Sequence, residues 1–295
     1  EIIRIARAVL GAVRVRLECA PAFNYSRTPH RTKSVDGGVL FEAGKDRMVL
    51  LGPGSWEIQD GKAVVQFTLQ PGETAEFALR YVIRQDDPKI KAPVEGDRLM
   101  AETLAFWRKW LSQCKYEGRW RENVYRSALT LKLLTHHPKG GIVAAPTCRM
   151  QEAIGGVSHW TSRYTWVRDA AFTVFSLIRL GFTEEATAFI DWLSERIHEE
   201  AGTQGPLNTM YSIDGESELS EHVLKNLSGY RDSRPVRIGN AASKQLQLDI
   251  YGEMMDAIYL YDKHVSPISY DLWKRIHGVL IWVAENWTQP DDGLW

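Results

Sequence analysis

Residues 160–170 read WTSRYTWVRDA, and they end a long irregular stretch at the point where a helical pattern begins. From Asp169 to Leu180 the apolar residues recur at helical spacing, which predicts a helix. The helix predicted next opens with Thr183-Glu184-Glu185, a capping hydroxyl followed by two acids that suit the positive end of a helix. The same spacing predicts helices over the rest of this region, at 99–111, 124–134, 183–199, 243–263 and 267–286.

Two connections between these predicted helices are unusually long, at 142–167 and 202–239. Loops of this length without secondary structure are uncommon in compact domains and usually carry function. The first ends in the quoted stretch, and the second contains Gly229 and Gly239 among several arginines. Functional side chains are therefore expected on these two loops.

The part of the chain before residue 84 has a different periodicity. Apolar and polar residues alternate at 13–17, 64–69 and 75–83, which predicts strands. Turn signals such as Asp36-Gly37-Gly38 and Gln70-Pro71-Gly72 separate them at the short spacing of antiparallel hairpins. This region is predicted to be a β-sandwich.

A polar, proline-bearing stretch at 85–96 separates the two periodicities and is the best domain boundary in the sequence. The predicted organisation is a β-sandwich domain at 1–88, a linker helix region at 89–118 and a helical domain at 119–295. A chain of 295 residues with 44% hydrophobic content is long enough for two such cores.

Composition narrows the class of partner. The 36 lysine and arginine residues nearly cancel the 37 aspartate and glutamate residues, so no long-range field favours nucleic acid or an anionic membrane. No apolar run is long enough to span a bilayer. Eleven tryptophans and eleven tyrosines offer flat faces for sugar rings, although core packing explains most of them. A neutral partner is expected.

The cysteines Cys19, Cys114 and Cys148 are odd in number and widely spaced, which argues against a disulfide framework or a thiolate zinc site. A reducing cytoplasm is the compartment that this pattern favours. His136-His137 and His198-Glu199-Glu200 lack the i, i+4 spacing of a zinc helix, and no glycine-rich phosphate loop is present. Neither a metal nor a cofactor is expected.

Arg168 and Asp169 are the strongest candidates for ligand binding. The two side chains put rigid N–H donors beside an acceptor, as neighbouring sugar hydroxyls require, and Trp160, Tyr164 and Trp166 can add aromatic faces. A second interpretation stays open, in which Asp169 caps the helix and pairs with Arg168.

Several ordered motifs resemble bacterial members of glycoside hydrolase family fifteen, which include glucoamylases, glucodextranases and trehalases. A stretch near the start, RLECAPAFNYSRTPH at 16–30, resembles the later part of the β-domain called trehalase-like. The resemblance implies a β-sandwich, incomplete at its beginning, followed by roughly the first half of an (α/α)6 barrel with the active site at the barrel mouth. The other motifs, in chain order, are GGIVAAPT at 140–147, RYTWVRDAAFT at 163–173, LIRLGFTEEA at 177–186, SGYRDSRPVRIGNAA at 228–242, QLQLDIYGE at 245–253 and PDDGLW at 290–295.

The resemblance also implies roles for individual residues. Arg168 and Asp169 would bind hydroxyls of the terminal glucose in subsite −1, with Trp166 beside them, and Trp295 would line the same pocket. Tyr164 is also expected to bind the substrate. The general acid would be a Glu directly after Trp295 and the base a second Glu further on, so no catalytic residue is expected within the chain.

The motif departs from the family at two positions. Many relatives carry a Tyr where Ser162 stands and an acid where Thr161 stands, and that Tyr faces the developing oxocarbenium ion. Losing it would remove stabilisation that acts only in the transition state, so altered activity is expected.

The function implied for the intact protein is inverting hydrolysis of terminal α-glucosidic bonds, with trehalose ahead of malto-oligosaccharide ends as the substrate. The chain by itself is expected to be inactive and to self-associate through the open edge of its barrel. The alternative is a non-catalytic carbohydrate-binding or regulatory relative of the same fold, which the Ser162 departure favours.

Overall fold

A computed structural model describes residues 1–84, 87–147, 153–157, 160–197 and 205–293. The chain divides into two compact units, Glu1–Lys109 and Trp110–Trp295. The division lies inside the stretch 89–118 that was predicted to be a linker helix region, and the predicted domain limits stay a prediction.

Strands dominate the first unit. They are β1 (Ile2–Arg7), β2 (Val13–Cys19), β3 (Arg31–Val35), β4 (Gly38–Ala43), β5 (Asp46–Leu51), β6 (Glu57–Gln59), β7 (Lys62–Leu69) and β8 (Thr74–Val82). They form two antiparallel sheets, one with the order β1-β8-β5-β4-β3 and the other with the order β2-β7-β6. A single turn, α1 (Phe23–Ser26), connects β2 to β3 and has left-handed backbone angles at Asn24 and Tyr25.

The two sheets pack face to face. Phe41 and Leu50 of the larger sheet meet Ala63 of the smaller one in one apolar cluster, and Phe77 meets Val65 in a second. The period of two in the sequence arises because alternate side chains point into this shared core. The predicted β-sandwich is therefore confirmed.

Helices dominate the second unit, which begins at the end of helix α2 (Gly96–Leu111). Side chains of the last four helices form its main core, including Val174, Phe189, Met254 and Ile276. Within the described ranges, none of the helices combines the length and the apolar character that crossing a bilayer requires. The helices are α3 (Arg121–Leu134), α4 (Val167–Leu180), α5 (Thr183–Ser194), α6 (Asp249–His264) and α7 (Tyr270–Asn286).

Several helix limits differ from those predicted by spacing, among them those of α5, α6 and α7. Helix α6 begins at Asp249 and not at residue 243, because the amide groups of Leu246 and Leu248 donate to side-chain carboxylates and not to helical carbonyls. Helix α7 begins after Ser269, whose hydroxyl accepts from the amide of Leu272. Helix α5 ends at Ser194, and the remainder of its predicted span beyond 197 lies outside the described residues.

The predicted capping role of Thr183 is wrong. The N-cap position of α5 is Phe182, without a side-chain cap, and Thr183 lies inside the helix. Glu185 is buried and accepts hydrogen bonds from Trp110 Nε1 at 2.8 Å and from Lys132 Nζ at 2.6 Å. Trp110 also stacks on Phe182 with 3.9 Å between ring centroids. A buried ion pair therefore joins α3 to α5.

We predict that Glu185→Ala destabilises the protein by about 3–5 kcal/mol, because it leaves the Lys132 ammonium buried without its partner. Denaturant-induced unfolding measures the change. The control is Glu102→Ala, which removes an exposed partner of Arg98 and is expected to cost below about 1 kcal/mol. Equal losses of unfolding free energy in the two variants would contradict a stabilising role for the buried Glu185–Lys132 ion pair.

Candidate functional site

A short strand-to-helix junction holds the residues that were predicted to bind a ligand. Strand β9 (Thr165–Trp166) pairs with β10 (Met210–Tyr211), and Trp166 lies opposite Met210. The amide of Val167 then donates to the carbonyl of Thr209 at 3.1 Å, and α4 begins. Backbone hydrogen bonds thus fix the chain on the strand side of Arg168 and Asp169, which occupy the first turn of α4.

Arg168 is held on several sides. Its Nη1 donates to Asp249 Oδ2 at 2.8 Å and lies 3.3 Å from Gln247 Oε1. Its guanidinium carbon lies 5.8 Å from the centroid of the Trp166 ring, within range of a cation–π contact. The side chain is 13% exposed. A planar donor group is therefore fixed in one orientation at the edge of solvent.

Asp169 is the more open member of the pair. Its side chain is 43% exposed, and its Oδ1 lies 3.7 Å from Arg168 Nε. Burial raises the pKa of the Asp169 carboxyl above its ordinary value, the charge of Arg168 opposes that rise, and the charge of Asp249 adds to it. Asp169 does not cap α4, whose N-cap residue is Trp166, but its carboxylate lies next to the Arg168 guanidinium, and the ligand-binding role of the pair stays a prediction.

A cavity of about 390 Å³ has Trp166 in its wall, while Arg168 and Asp169 are not among its lining residues. Trp166 belongs to its wall and also carries the Arg168 guanidinium over its ring. Two indole rings and three small side chains give the cavity a largely apolar surface that suits one face of a sugar ring. The lining residues are Trp160, Ser162, Trp166, Asn240, Ala241, Ala242 and Gln245.

The two residues that depart from the family motif have different positions. Ser162 lines the cavity, so a larger side chain there would project into it. Thr161 is buried, and its hydroxyl donates to the carbonyl of Arg237 at 3.1 Å. Asn240, which also lines the cavity, donates to the carbonyl of Thr161 at 3.3 Å. Thr161 therefore supports the wall that Ser162 and Asn240 form.

The stretch between the cavity and α6 connects the cavity wall to Arg168. Gln247 Nε2 donates to Gln245 Oε1 at 2.9 Å, while Gln247 Oε1 faces Arg168. Two carboxylates hold the intervening backbone: Asp292 accepts from the amide of Leu246 at 3.0 Å, and Asp291 accepts from that of Leu248 at 3.1 Å. The segment 245–249 is thus fixed by residues more than forty positions later.

Tyr164 and Trp295 were also predicted to bind substrate. The Tyr164 hydroxyl accepts from the amide of Gly239 at 2.9 Å, and its ring packs against the cluster around Trp166 and Met210. Like Arg168 and Asp169, Tyr164 is not among the cavity-lining residues. Trp295 lies outside the described residues.

Sequence reasoning missed four residues of the site, namely Gln245, Gln247, Asp249 and Asn240. All four fall within motifs that carried the family resemblance, at 228–242 and 245–253, but nothing in their spacing assigns them a role. Among the described residues, no group of three or more His, Cys, Asp or Glu side chains is arranged to hold a metal.

Comparison with known proteins identifies the class. The model of glycosyl hydrolases family 15 matches residues 118–295, more than half of the chain. The chain therefore belongs to this family. Its fold class is the one predicted, a β-sandwich followed by a helical domain.

Individual relatives add detail. The trehalase of Thermoplasma acidophilum is 32% identical over the whole chain, which covers 50% of that protein. The trehalase of Mycolicibacterium smegmatis is 33% identical, again over the whole chain and over 45% of that protein. A bacterial glucoamylase complexed with acarbose matches 84% of this chain and 45% of its own, with a TM-score of 0.48 and 11% identity. The chain thus spans about half the length of the curated relatives it matches.

We predict that Arg168→Ala raises the pKa of the Asp169 carboxyl further, because the charge that opposes the effect of burial is removed. Carboxyl ¹³C NMR titration measures the shift, with Asp169→Asn identifying the resonance. Arg179→Ala, an exposed arginine on the same helix, is the control and should leave the pKa unchanged. A lower Asp169 pKa in Arg168→Ala would refute the assignment.

Proposed function

We propose that the protein to which this chain belongs hydrolyses terminal α-glucosidic bonds with inversion of configuration. The observation that carries the proposal is the Arg168–Asp169 pair in a chain that belongs to glycosyl hydrolases family 15, with Arg168 near the ring of Trp166 in the cavity wall. Arg168 supplies N–H donors and Asp169 supplies carboxylate acceptors, which together match two neighbouring hydroxyls of a glucose ring. Trp166 supplies an apolar surface beside them.

The chemistry is a single displacement. One carboxylic acid protonates the oxygen of the leaving group while a carboxylate on the opposite face of the ring activates water. The family resemblance assigns these roles to a Glu directly after Trp295 and to a second Glu further on, both outside the 295 residues. The residues of this chain would bind and orient the terminal glucose for that attack.

Trehalose is the proposed substrate, ahead of the ends of malto-oligosaccharides. The preference is supported by the relatives named trehalase, of which those from Thermoplasma acidophilum and Mycolicibacterium smegmatis align with the whole chain, including its β-sandwich.

A second candidate function is carbohydrate binding without catalysis, as in a regulatory relative. The position of Ser162 on the cavity wall favours it, since the family resemblance implies an aromatic hydroxyl there that faces the charged transition state. Such a protein would keep Arg168 and Asp169 and bind sugar without turning it over.

Two further expectations accompany the proposal. Large apolar side chains face solvent on α4 and α7, including Phe172, Leu280 and Ile281, and they suit association of the 295-residue chain with a second copy. The thiols of Cys19 and Cys114 are free, which is compatible with a cytoplasmic location.

We predict that Arg168→Ala lowers kcat/KM for trehalose in the whole protein by roughly 10- to 100-fold, because it removes charged hydrogen bonds to the sugar. Steady-state glucose release measures the effect, and Arg179→Ala is the control on the same helix. The 295-residue chain alone, which lacks both expected acids, should release no glucose in this assay. Release by that chain, or equal rates for the two variants, would contradict the proposal.

We predict that Ser162→Tyr raises kcat of the whole protein, because the new hydroxyl would face the charge that develops in the transition state. Ser162→Phe fills the same space without that hydroxyl and should give a smaller gain or none. An unchanged kcat in Ser162→Tyr would count against this role. Sugar binding without hydrolysis in both the wild type and Ser162→Tyr would favour the non-catalytic alternative.

A further inference from the structure

Asp249 is the partner that determines where Arg168 points. It is the first residue of α6, and its Oδ2 accepts from Arg168 Nη1 at 2.8 Å. The Asp249 side chain is 28% exposed, compared with 13% for Arg168, so the pair lies at the edge of solvent. Asp249 thus lies in the first turn of α6, where the helix dipole stabilises a carboxylate.

The bonds of Arg168 leave part of its guanidinium for a ligand. Among the described residues, both of its side-chain hydrogen bonds are made by Nη1, one to Asp249 and one to Gln247. An arginine side chain loses substantial rotamer freedom when it is fixed, and a partner that fixes it in advance spares the ligand that loss. The charged bond to Asp249 is the stronger of the two.

The backbone that carries Asp249 is itself immobilised. Asp292 makes two hydrogen bonds with Leu246: its carboxylate accepts from the amide of Leu246 at 3.0 Å, and its amide donates to the carbonyl of Leu246 at 2.9 Å. Asp291 accepts from Leu248, the residue directly before Asp249, at 3.1 Å. Arg168 is therefore bonded to a residue whose preceding backbone is held by further hydrogen bonds.

We propose that Asp249 is a positioning residue for sugar binding, one that acts by holding Arg168 in the orientation that meets the ligand. The inference rests on the proposed function, because it takes Arg168 as the group that contacts the sugar. In this proposal Asp249 acts through its bond to Arg168 and makes no bond of its own to the sugar. Its removal should therefore matter only while Arg168 is present.

A double-mutant cycle on the whole protein tests this inference. Binding of D-glucose is measured by calorimetry for the wild type, Asp249→Asn, Arg168→Ala and the double variant. Asp249→Asn should weaken binding about tenfold in the wild-type background and have no further effect in the Arg168→Ala background. The matched control is Asp214→Asn, which breaks an exposed ion pair of the same 2.8 Å length with Lys139 and should leave binding unchanged.

The outcomes separate the two proposals. If Arg168→Ala binds D-glucose as tightly as the wild type, the sugar-binding role of Arg168 fails and the role of Asp249 fails with it. If Arg168→Ala weakens binding but Asp249→Asn does not, or if the two losses add, only the positioning role is overturned. Asp249→Glu keeps the charge and should recover part of the affinity. Thermal unfolding of each variant identifies any loss of folded protein, which would act equally in both backgrounds.

Discussion

The hydrogen-bonded ion pair between Arg168 and Asp249 joins two segments that are 81 residues apart in sequence. One segment is the strand-to-helix junction that bears Trp166 and Asp169, and the other is the stretch that leads from the cavity wall into α6. Because a buried or half-buried charge needs a partner, neither segment can move without leaving its charge unpaired. The orientation of the Arg168 donors therefore depends on this contact.

Backbone hydrogen bonds also hold the two segments that carry Arg168 and Asp249. Pairing of β9 with β10 fixes the chain just before Arg168, and the carboxylates of Asp291 and Asp292 fix the chain just before Asp249. Both residues of the ion pair thus follow backbone segments that hydrogen bonds hold in place. Such pre-organisation suits a site that must hold a neutral, hydroxyl-rich ligand, since each hydrogen bond to it contributes little net free energy.

Local sequence patterns predicted the β-sandwich, the helices and the Arg168–Asp169 pair, because each of them is decided by residues that are close together in the chain. Asp249 and Gln247 were missed, since only the fold brings them to Arg168. The early start predicted for α6 has the same cause: the amides of Leu246 and Leu248 are bound by carboxylates more than forty residues later. Glu185 lies in the first turn of α5, as expected, but its pairing with Lys132 in the core was missed for the same reason.

A crystal structure of the whole protein with glucose bound tests the central claim most directly. The account predicts that the terminal ring has hydroxyls within hydrogen-bond distance of Arg168 and Asp169, lies beside Trp166, and leaves the bond between Arg168 and Asp249 intact. A ring bound elsewhere, or bound in the cavity without contact to Arg168 and Asp169, would contradict it.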